Sequence, residues 1–334
     1  LLFIYIRNHK WEKFRQYILE HKNIDLNFKY SNNTHLLTYA VTFNKIEIVK
    51  FLFDNGARYD ITDTKNRNII YIAIKNNYIE IINIILEYSQ KMIGMNITNM
   101  CDDNKNIPLH YAINYSDFET TKKLVSLNSN LLLYNKNGNN ALHMAIKKGN
   151  IDIIKYIITK IPDIDKKTLH GETSLQIAIN YGYNNIVSFL LKNRANPNIQ
   201  DDTNDFSALH YAVGWNHISI IKELLEYKAD PNIQDMYGNI PLIYSIKENN
   251  KESFDIFIKT DINVNQWNID GRTVLHEILY NYTASSKYYI DNVLPLSNLL
   301  IQDRNGFSCL HYLIIHNIWQ NYIEILKTKK LNIF

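Results

Sequence analysis

The chain has 334 residues, of which 46% are apolar, so it is long enough to bury a sizeable hydrophobic core. Its net charge of +3 arises from 36 basic and 33 acidic residues distributed along the whole sequence. Because the sequence contains no block of like charge, its composition argues against nucleic acid or an anionic membrane surface as a partner.

The N-terminal segment and the two cysteines indicate the cellular compartment. The opening LLFIYI is apolar, but it reaches charged residues after six positions, whereas a membrane span needs about 20 residues. We therefore expect neither a signal peptide nor a membrane anchor. Cys101 and Cys309 lie too far apart in sequence for a disulfide framework or a zinc ribbon. These features favour a reducing, cytoplasmic location, and a first residue other than Met indicates a piece of a longer or processed protein.

One hexapeptide pattern recurs along the chain. In chain order the copies are HLLTYA (35–40), NIIYIA (68–73), IPLHYA (107–112), NALHMA (140–145), TSLQIA (173–178), SALHYA (207–212), IPLIYS (240–245), TVLHEI (273–278) and SCLHYL (308–313). Successive copies lie 33, 39, 33, 33, 34, 33, 33 and 35 residues apart. Self-similarity at a period near 33 indicates a repeat architecture.

Each copy is followed by a second amphipathic segment and a polar turn. In HISIIKELLEYKADPNIQD, residues Ile218, Ile220, Ile221, Leu224 and Leu225 recur at helical spacing. The turns contain Asn-Gly, Tyr-Gly-Asn or Asp-Gly steps, which tolerate positive φ and are typical of hairpins. The sequence therefore predicts a helix, a loop, an antiparallel second helix and a hairpin in each repeat.

This pattern resembles the ankyrin repeat. The segments GNIPLIYS, KADPNIQD, RANPNIQD and NGARYDI match pieces of the family pattern, and the resemblance covers essentially the whole chain. It implies an all-α solenoid of about ten helix-loop-helix units with short β-hairpin fingers. We expect one repeat domain, 1–334, with units at 1–31, 32–64, 65–103, 104–136, 137–169, 170–203, 204–236, 237–269, 270–304 and 305–334.

Three stretches depart from the pattern. Residues 1–27 match only half of an opening unit, because IRNHKWEKFRQYILEHKNIDLN takes the place of a second helix and its tail. The 39-residue step places an insertion near 88–100, which should lengthen the second helix or its loop. Within 281–296 the second-helix pattern is lost, and Pro295 should break a helix there.

The histidine of the hexapeptide raises the question of a metal site. Equivalent side chains on packed helices lie about 8 to 10 Å apart, whereas the ligands of one zinc ion lie about 2.0 to 2.1 Å from it. The ladder therefore cannot share an ion, and we expect no metal site. The resemblance implies instead that each imidazole hydrogen-bonds loop backbone and ties repeats together. The residues concerned are His110, His143, His210, His276 and His311.

Enzyme motifs are absent from the sequence. The His-Glu step of LHEIL (275–279) does not continue as a zinc-protease motif, because Tyr280 stands at the position of the second histidine. The sequence contains no phosphate-binding glycine loop, nucleophile elbow or dinucleotide fingerprint. We therefore expect no catalytic activity, cofactor or small-molecule substrate within these residues.

Repeat packing leaves one position of the first helix free for a partner. Stacked repeats form a long concave surface, lined by the first helices and the hairpins. Three places after the small residue of the hexapeptide stand Phe43, Asn76, Tyr115, Lys148, Tyr181, Trp215, Glu248 and Asn281. Aromatic side chains often anchor interfaces, so we predict a protein-binding surface with Trp215 and Tyr181 at its centre. The alternative is that these rings pack over the next helix end.

Further binding candidates come from the same position and from the hairpins. Tyr115, Phe43 and Lys148 occupy the position itself. Tyr237 and Trp267 lie beside turns, where an aromatic ring is otherwise exposed, and the alternative for both is to brace one hairpin against the next.

The resemblance also singles out an asparagine in the tail of the repeat. In ankyrin proteins this residue satisfies turn backbone, and in some it is hydroxylated by an asparaginyl hydroxylase. The position is held here by Asn198, Asn232 and Asn265. Asn232, in ADPN, matches best and is the candidate for modification, although the structural role has priority.

The expected function is recognition: a rigid, non-catalytic scaffold that holds a protein partner. Two alternatives remain open, a structural component of a larger assembly or virion, and the recognition part of a longer protein with an effector or enzyme domain outside these residues. The AT-biased composition and degenerate repeats resemble ankyrin proteins of large amoeba-infecting DNA viruses. That resemblance implies an adaptor acting on host proteins, in the host cytoplasm or in the virion.

Overall fold

A computed structural model describes residues 1–21, 23–29, 34–91, 96–115 and 117–329. Its contacts divide the chain into two compact units, an N-terminal unit, Leu1–Asp163, and a C-terminal unit, Ile164–Phe334. Each unit contains ten α-helices within its described residues, and these helices follow one another as five pairs. The predicted all-α repeat architecture is confirmed.

The first helix of each pair in the N-terminal unit carries an odd number. The helices are α1 (Leu2–Arg7), α2 (Trp11–Glu20), α3 (Leu36–Thr42), α4 (Ile46–Asp54), α5 (Ile69–Lys75), α6 (Ile79–Lys91), α7 (Pro108–Asn114), α8 (Phe118–Ser126), α9 (Ala141–Lys147) and α10 (Ile151–Ile158). Each first helix contacts its own second helix, and α1, α3, α5 and α7 also contact the first helix of the next pair.

The C-terminal unit continues with the same alternation. Its helices are α11 (Ser174–Asn180), α12 (Asn184–Lys192), α13 (Ala208–Gly214), α14 (Ile218–Glu226), α15 (Pro241–Lys247), α16 (Lys251–Phe257), α17 (Val274–Tyr280), α18 (Ser286–Val293), α19 (Cys309–Ile315) and α20 (Ile323–Thr328). Short 3-10 helices occur at Ile97–Asn99 in the N-terminal unit and at Leu294–Leu296 and Trp319–Tyr322 in the C-terminal unit.

The hexapeptide forms the core between first helices. Its leucine position is buried, as at Leu109, Leu209 and Leu242, and fully burying such a side chain stabilises the fold by about 1.5 to 3 kcal/mol. Its small position is fully buried at Ala112 and Ala212, where a short side chain lets neighbouring helices approach closely. These two positions explain why the pattern recurs at a fixed place in each repeat.

The predicted hairpins are turns with little strand character. In the described residues the β-bridges are isolated, Thr62 with Asn68 and Gln302 with Ser308. The turns are fixed by their first side chain; the Asp235 Oδ1 atom accepts the N–H groups of Tyr237 and Asn239, at 2.8 and 2.9 Å. Short side-chain-capped turns therefore replace the paired strands that the sequence led us to expect.

The three irregular stretches have different outcomes. The opening unit, which half-matches the sequence pattern, contains two helices: α1 buries Leu2 and Ile6, four residues apart on one helix face, and α2 lies within the segment expected to form the second helix. The lengthened second helix before the insertion is confirmed, since α6 has 13 residues. Part of the insertion, residues 92–95, lies outside the described residues.

The second helix around Pro295 forms despite the weak sequence pattern. Helix α18 buries Tyr289, Ile290 and Val293 and ends there, and Pro295 lies in the first turn of the following 3-10 helix, where no backbone donor is needed. The helix thus forms without a clean sequence pattern, and the expected break at the proline is confirmed.

Candidate functional site

The predicted binding position lies at the end of each first helix. Trp215 directly follows α13, and Asn216 adopts a left-handed φ of 56°. The N–H groups of Asn216 and His217 then donate to the carbonyls of Val213 and Ala212, both at 2.9 Å, which closes the helix. Because backbone atoms make this cap, the side chain at the Trp215 position is not needed for it.

The rings at this position are largely exposed. The exposed fractions are 38% for Phe43, 44% for Tyr115, 50% for Tyr181 and 58% for Trp215, and Lys148 is exposed as well. Phe43, Tyr115 and Lys148 belong to the N-terminal unit, and Tyr181 and Trp215 to the C-terminal unit.

Phe43 packs more than its equivalents do. Its ring centroid lies 4.6 Å from that of Tyr39, which in turn meets Phe3 edge-on at 4.9 Å. Phe43 therefore packs on its own helix, and not on the next helix end, and this contact makes it the weakest of the predicted binding residues.

Tyr181 and Trp215 are held in defined positions in neighbouring repeats of the C-terminal unit. The Trp215 Nε1 atom donates to the Asn180 Oδ1 atom of the preceding repeat at 2.5 Å. The Tyr181 ring stacks on Tyr183, with centroids 5.5 Å apart. Since little side-chain entropy remains to be lost on binding, the rings of Tyr181, Tyr183 and Trp215, here called the cap patch, are suited to anchor a partner.

A second exposed apolar group lies on two neighbouring hairpins of the same unit. It consists of Met236, Tyr237, Trp267 and Ile269, exposed by 48, 46, 63 and 47%, and is here called the hairpin patch. The Ile269 N–H donates to the Tyr237 carbonyl at 2.9 Å, which joins the two turns. Four large apolar side chains on adjoining turns are unusual for a free surface.

The sequence indicated only half of the hairpin patch. Tyr237 and Trp267 were predicted as secondary candidates, whereas Met236 and Ile269 were missed. The missed residues follow the first residue of a turn, a position that is polar at Lys136, Asp202 and Arg304. Comparison of that single position across the hairpins would have found them, together with Leu169 of an earlier repeat, which is 65% exposed.

Trp267 occupies a position where preceding repeats carry a bracing glutamine. The Gln200 Nε2 atom donates to the Gln234 carbonyl at 2.7 Å, and the Gln234 Nε2 atom donates to the Trp267 carbonyl at 2.8 Å. A tryptophan side chain cannot donate two such bonds, and this one is 63% exposed. The bracing alternative is therefore poorly supported for Trp267.

All five recurring histidines make a local hydrogen bond, and His210 and His276 also bond to the next repeat. In all five the Nδ1 atom accepts the backbone N–H three residues earlier, for example from Ser207 to His210 at 3.1 Å. The Nε2 atom must then carry the proton, and in His210 it donates to the Asn239 carbonyl of the next repeat at 3.1 Å. His276 reaches the Phe307 carbonyl in the same way, at 3.2 Å. These contacts support the predicted structural role.

The chain resembles one protein family over almost its whole length. The family model described as "Ankyrin repeats (3 copies)" matches residues 2–99, 70–168, 161–235 and 209–288. The chain belongs to the ankyrin-repeat family. Ankyrin repeats are a general protein–protein interaction module.

Two further comparisons agree with this assignment. An ankyrin repeat protein of Acanthamoeba polyphaga mimivirus is 34% identical over 359 residues, covering all of this chain and 47% of the relative, so the chain spans about half of that protein. The crystal structure of the ankyrin repeat domain of Bcl-3, a member of the IkappaB protein family, matches with a TM-score of 0.59 and 20% identity. That match covers 66% of this chain and 96% of the Bcl-3 chain, and it supports the fold alone.

The asparagines of the ankyrin tail bridge successive repeats. The Asn232 Nδ2 atom donates to the Asp261 carbonyl at 2.9 Å, and its Oδ1 atom accepts the Asn263 N–H at 2.6 Å. Asn198 makes the same pair of contacts with Lys228 and Asp230, at 3.3 and 2.8 Å. Both polar ends of the Asn232 amide are thus engaged in the ankyrin stack, and its hydroxylation stays a prediction.

Metal and membrane signals are not found in the part of the ankyrin chain that the structure describes. No group of three or more His, Cys, Asp or Glu side chains there is arranged to hold a metal ion. None of the described helices combines the length and apolar composition that a bilayer span requires.

Proposed function

We propose that this ankyrin-repeat chain is a non-catalytic scaffold that binds a protein partner through the cap patch and the hairpin patch of its C-terminal unit. The observation that carries the proposal is the exposure of Tyr181 and Trp215, two large rings in adjacent repeats, at a position where backbone atoms alone close the helix. Tyrosine and tryptophan are the side chains most enriched among the energetically dominant residues of interfaces.

The balanced charge of the chain supports a protein partner over a nucleic acid. Affinity for nucleic acid rests mainly on a basic surface, and this chain has 36 basic against 33 acidic residues. Within the proposal the chain acts as an adaptor that presents a target to other machinery, in the cytoplasm of an infected cell or in a virus particle. The mimivirus relative supports that setting.

A capture experiment tests the proposal. The intact protein is purified from its native cells beside a Tyr181→Ala/Trp215→Ala variant, and bound proteins are quantified by mass spectrometry. Because loss of one hot-spot aromatic costs about 2 kcal/mol or more, we expect capture of the partner to fall at least about tenfold.

The matched control is Tyr227→Ala. Tyr227 is similarly exposed, at 37%, and follows a second helix, α14, instead of a first helix. The Tyr227→Ala substitution should leave capture unchanged. Circular dichroism checks that this variant and the double variant are folded. Equal capture by the native chain and the double variant, or no specific partner for either, would contradict the proposal.

A further inference from the structure

The C-terminal unit contains a cavity of about 500 Å³ beside α15, α17 and the start of α18. Its apolar wall includes Ile246, Ile278 and Tyr289, and its polar lining includes Lys247, Glu277 and Asn281. A volume of this size accommodates a long side chain or a small ligand.

Two departures from the repeat pattern meet at this cavity. Glu277 occupies the hexapeptide position that holds tyrosine at Tyr211, Tyr244 and Tyr312. The loop between α17 and α18 has five residues, 281–285, where the loop between α13 and α14 has three, 215–217. Both the smaller side chain and the longer loop line the cavity, so the irregularities of this repeat are concentrated at one place.

The tyrosines replaced by Glu277 have a structural task. Tyr211 donates its hydroxyl hydrogen to the Asp201 carboxylate at 2.9 Å, which ties its helix to the turn before it. At the cavity the roles are exchanged, because the Asn268 Nδ2 atom donates to the Glu277 Oε1 atom at 2.9 Å. The hydrogen bond between the helix and the turn is kept, but a carboxylate now forms part of the cavity lining.

The Glu277 carboxylate is buried, and its ion pair with Arg272 is long. The residue is 7% exposed, and the Arg272 Nη1 atom lies 3.7 Å from Oε1, which is an ion pair without a direct hydrogen bond. The Arg272 guanidinium instead lies 3.5 Å from the centroid of the Tyr280 ring. The Oε2 atom has a long contact, 3.4 Å, with the Asn281 Nδ2 atom. A buried carboxylate gains most from a cation that reaches it directly.

The cavity lining fixes the chemistry of the occupant. Ile246, Ile278, Glu277 and Asn281 all line it, so an alkyl chain would contact the isoleucines and a terminal cation would contact the Glu277 carboxylate. Lys247 also lines the cavity, but it is exposed and its Nζ atom lies 5.5 Å from the centroid of the Tyr244 ring, so its charge is partly engaged there.

We propose that this cavity binds a lysine or arginine side chain of the protein partner, with the alkyl stem on the isoleucines and the cationic head on Glu277. The source of the side chain rests on the proposed function, whereas the cavity chemistry can be tested without the partner. The proposal also explains why a repeat would replace its tying tyrosine with a buried acid.

The test uses two probes in methyl-labelled nuclear magnetic resonance of the whole chain. n-Butylammonium mimics a lysine side chain, and n-butanol is its neutral counterpart of similar size. We expect n-butylammonium to shift the methyl signals of Ile246 and Ile278 in a saturable way, and to bind at least about tenfold more tightly than n-butanol. Equal effects of the two probes, or no effect of n-butylammonium, would overturn the proposal.

Two variants connect the effect to Glu277. Glu277→Gln keeps an acceptor for Asn268 but removes the charge, so binding of n-butylammonium should weaken about tenfold. Glu277→Tyr restores the residue of the other repeats and should fill the cavity and abolish binding. The same spectra report folding, and if a variant unfolds, the two probes still decide the matter on the native chain. The capture experiment with the cap-patch variant is independent of this titration. Failure of the proposed function can therefore be distinguished from failure of the cavity proposal.

Discussion

The hydrogen bonds of the histidine position do not require histidine. The Gln176 Oε1 atom accepts the Thr173 N–H at 2.7 Å, and its Nε2 atom donates to the Phe206 carbonyl of the next repeat at 2.8 Å. At the same position the Tyr71 hydroxyl donates to the Asn106 carbonyl at 2.6 Å. In these repeats a donor reaches the next turn, whereas Ile243 holds the position as a buried apolar side chain, so the fold tolerates different residue types there.

Histidine differs from glutamine in that it titrates. Burial lowers the pKa of His110 to about 4 and also lowers the pKa values of His210 and His276. An unfolded histidine takes up a proton below about pH 6.5, whereas the folded chain keeps these imidazoles neutral. The stability they provide is therefore present above pH 6.5 and is lost as the pH falls below it.

We expect His210→Gln to make the folded chain less sensitive to acid. Because one proton is no longer taken up on unfolding, the slope of unfolding free energy against pH between pH 6.5 and 5 should fall by up to about 1.4 kcal/mol per pH unit. At pH 7.5 the change should stay below about 1 kcal/mol, since glutamine makes equivalent bonds at Gln176. Urea unfolding at several pH values measures both quantities. The exposed His170→Gln is the control, and an equal change of slope in that variant would contradict the expectation.

At the scale of elements, the hairpins are linked one to the next by backbone and side-chain bonds. The Met236 N–H donates to the Asn204 carbonyl and the Arg304 N–H to the Asp270 carbonyl, at 2.9 and 3.0 Å. Close approach also limits the turn residues. A Cβ atom on Gly238, whose φ is 75°, would lie 2.7 Å from the Asn268 Cα atom. The backbone of the turns that carry the hairpin patch is therefore held in place by the neighbouring turns.

Trp267→Gln should separate binding from stability. A glutamine there can brace the next turn as Gln200 and Gln234 do, so thermal unfolding should shift by no more than a few degrees, in either direction. Removal of a ring that is 63% exposed should weaken capture of the partner about tenfold or more. Calorimetry and quantitative capture on the same preparation give the two results. A variant that is strongly destabilised, or one that keeps full capture, would show that Trp267 has a packing role.

On the scale of the whole molecule, the helices pack with their neighbours in the chain. Helix α15 contacts α13, α16 and α17, and α5 contacts α3, α6 and α7. Stability in such an array is approximately a sum of repeat terms and nearest-neighbour terms. A local loss of packing should therefore open a few repeats without opening the rest.

Leu242→Ala tests this locality in the C-terminal unit. Leu242 is fully buried, and its truncation should cost about 2 to 5 kcal/mol. We expect amide hydrogen exchange to accelerate in α13 to α18 and to stay slow in α3 to α6. Leu37→Ala, in the N-terminal unit, is the reciprocal control and should reverse the distribution. Uniform acceleration across both units in either variant would show that the chain unfolds as one cooperative body.

The sequence by itself determined the repeat, its period, the place of each first helix from α3 onward and the family, because these follow from local hydrophobic spacing and turn chemistry. It also located the aromatic residues after the first helices. Tertiary structure decided how the rings are held: Phe43 packs on Tyr39, whose ring meets Phe3 of the preceding repeat, whereas Trp215 is fixed by Asn180 of the preceding repeat and is 58% exposed. It also brought Glu277 and the loop 281–285 to one cavity. These features depend on contacts between neighbouring repeats, and such contacts have no signature within a single repeat.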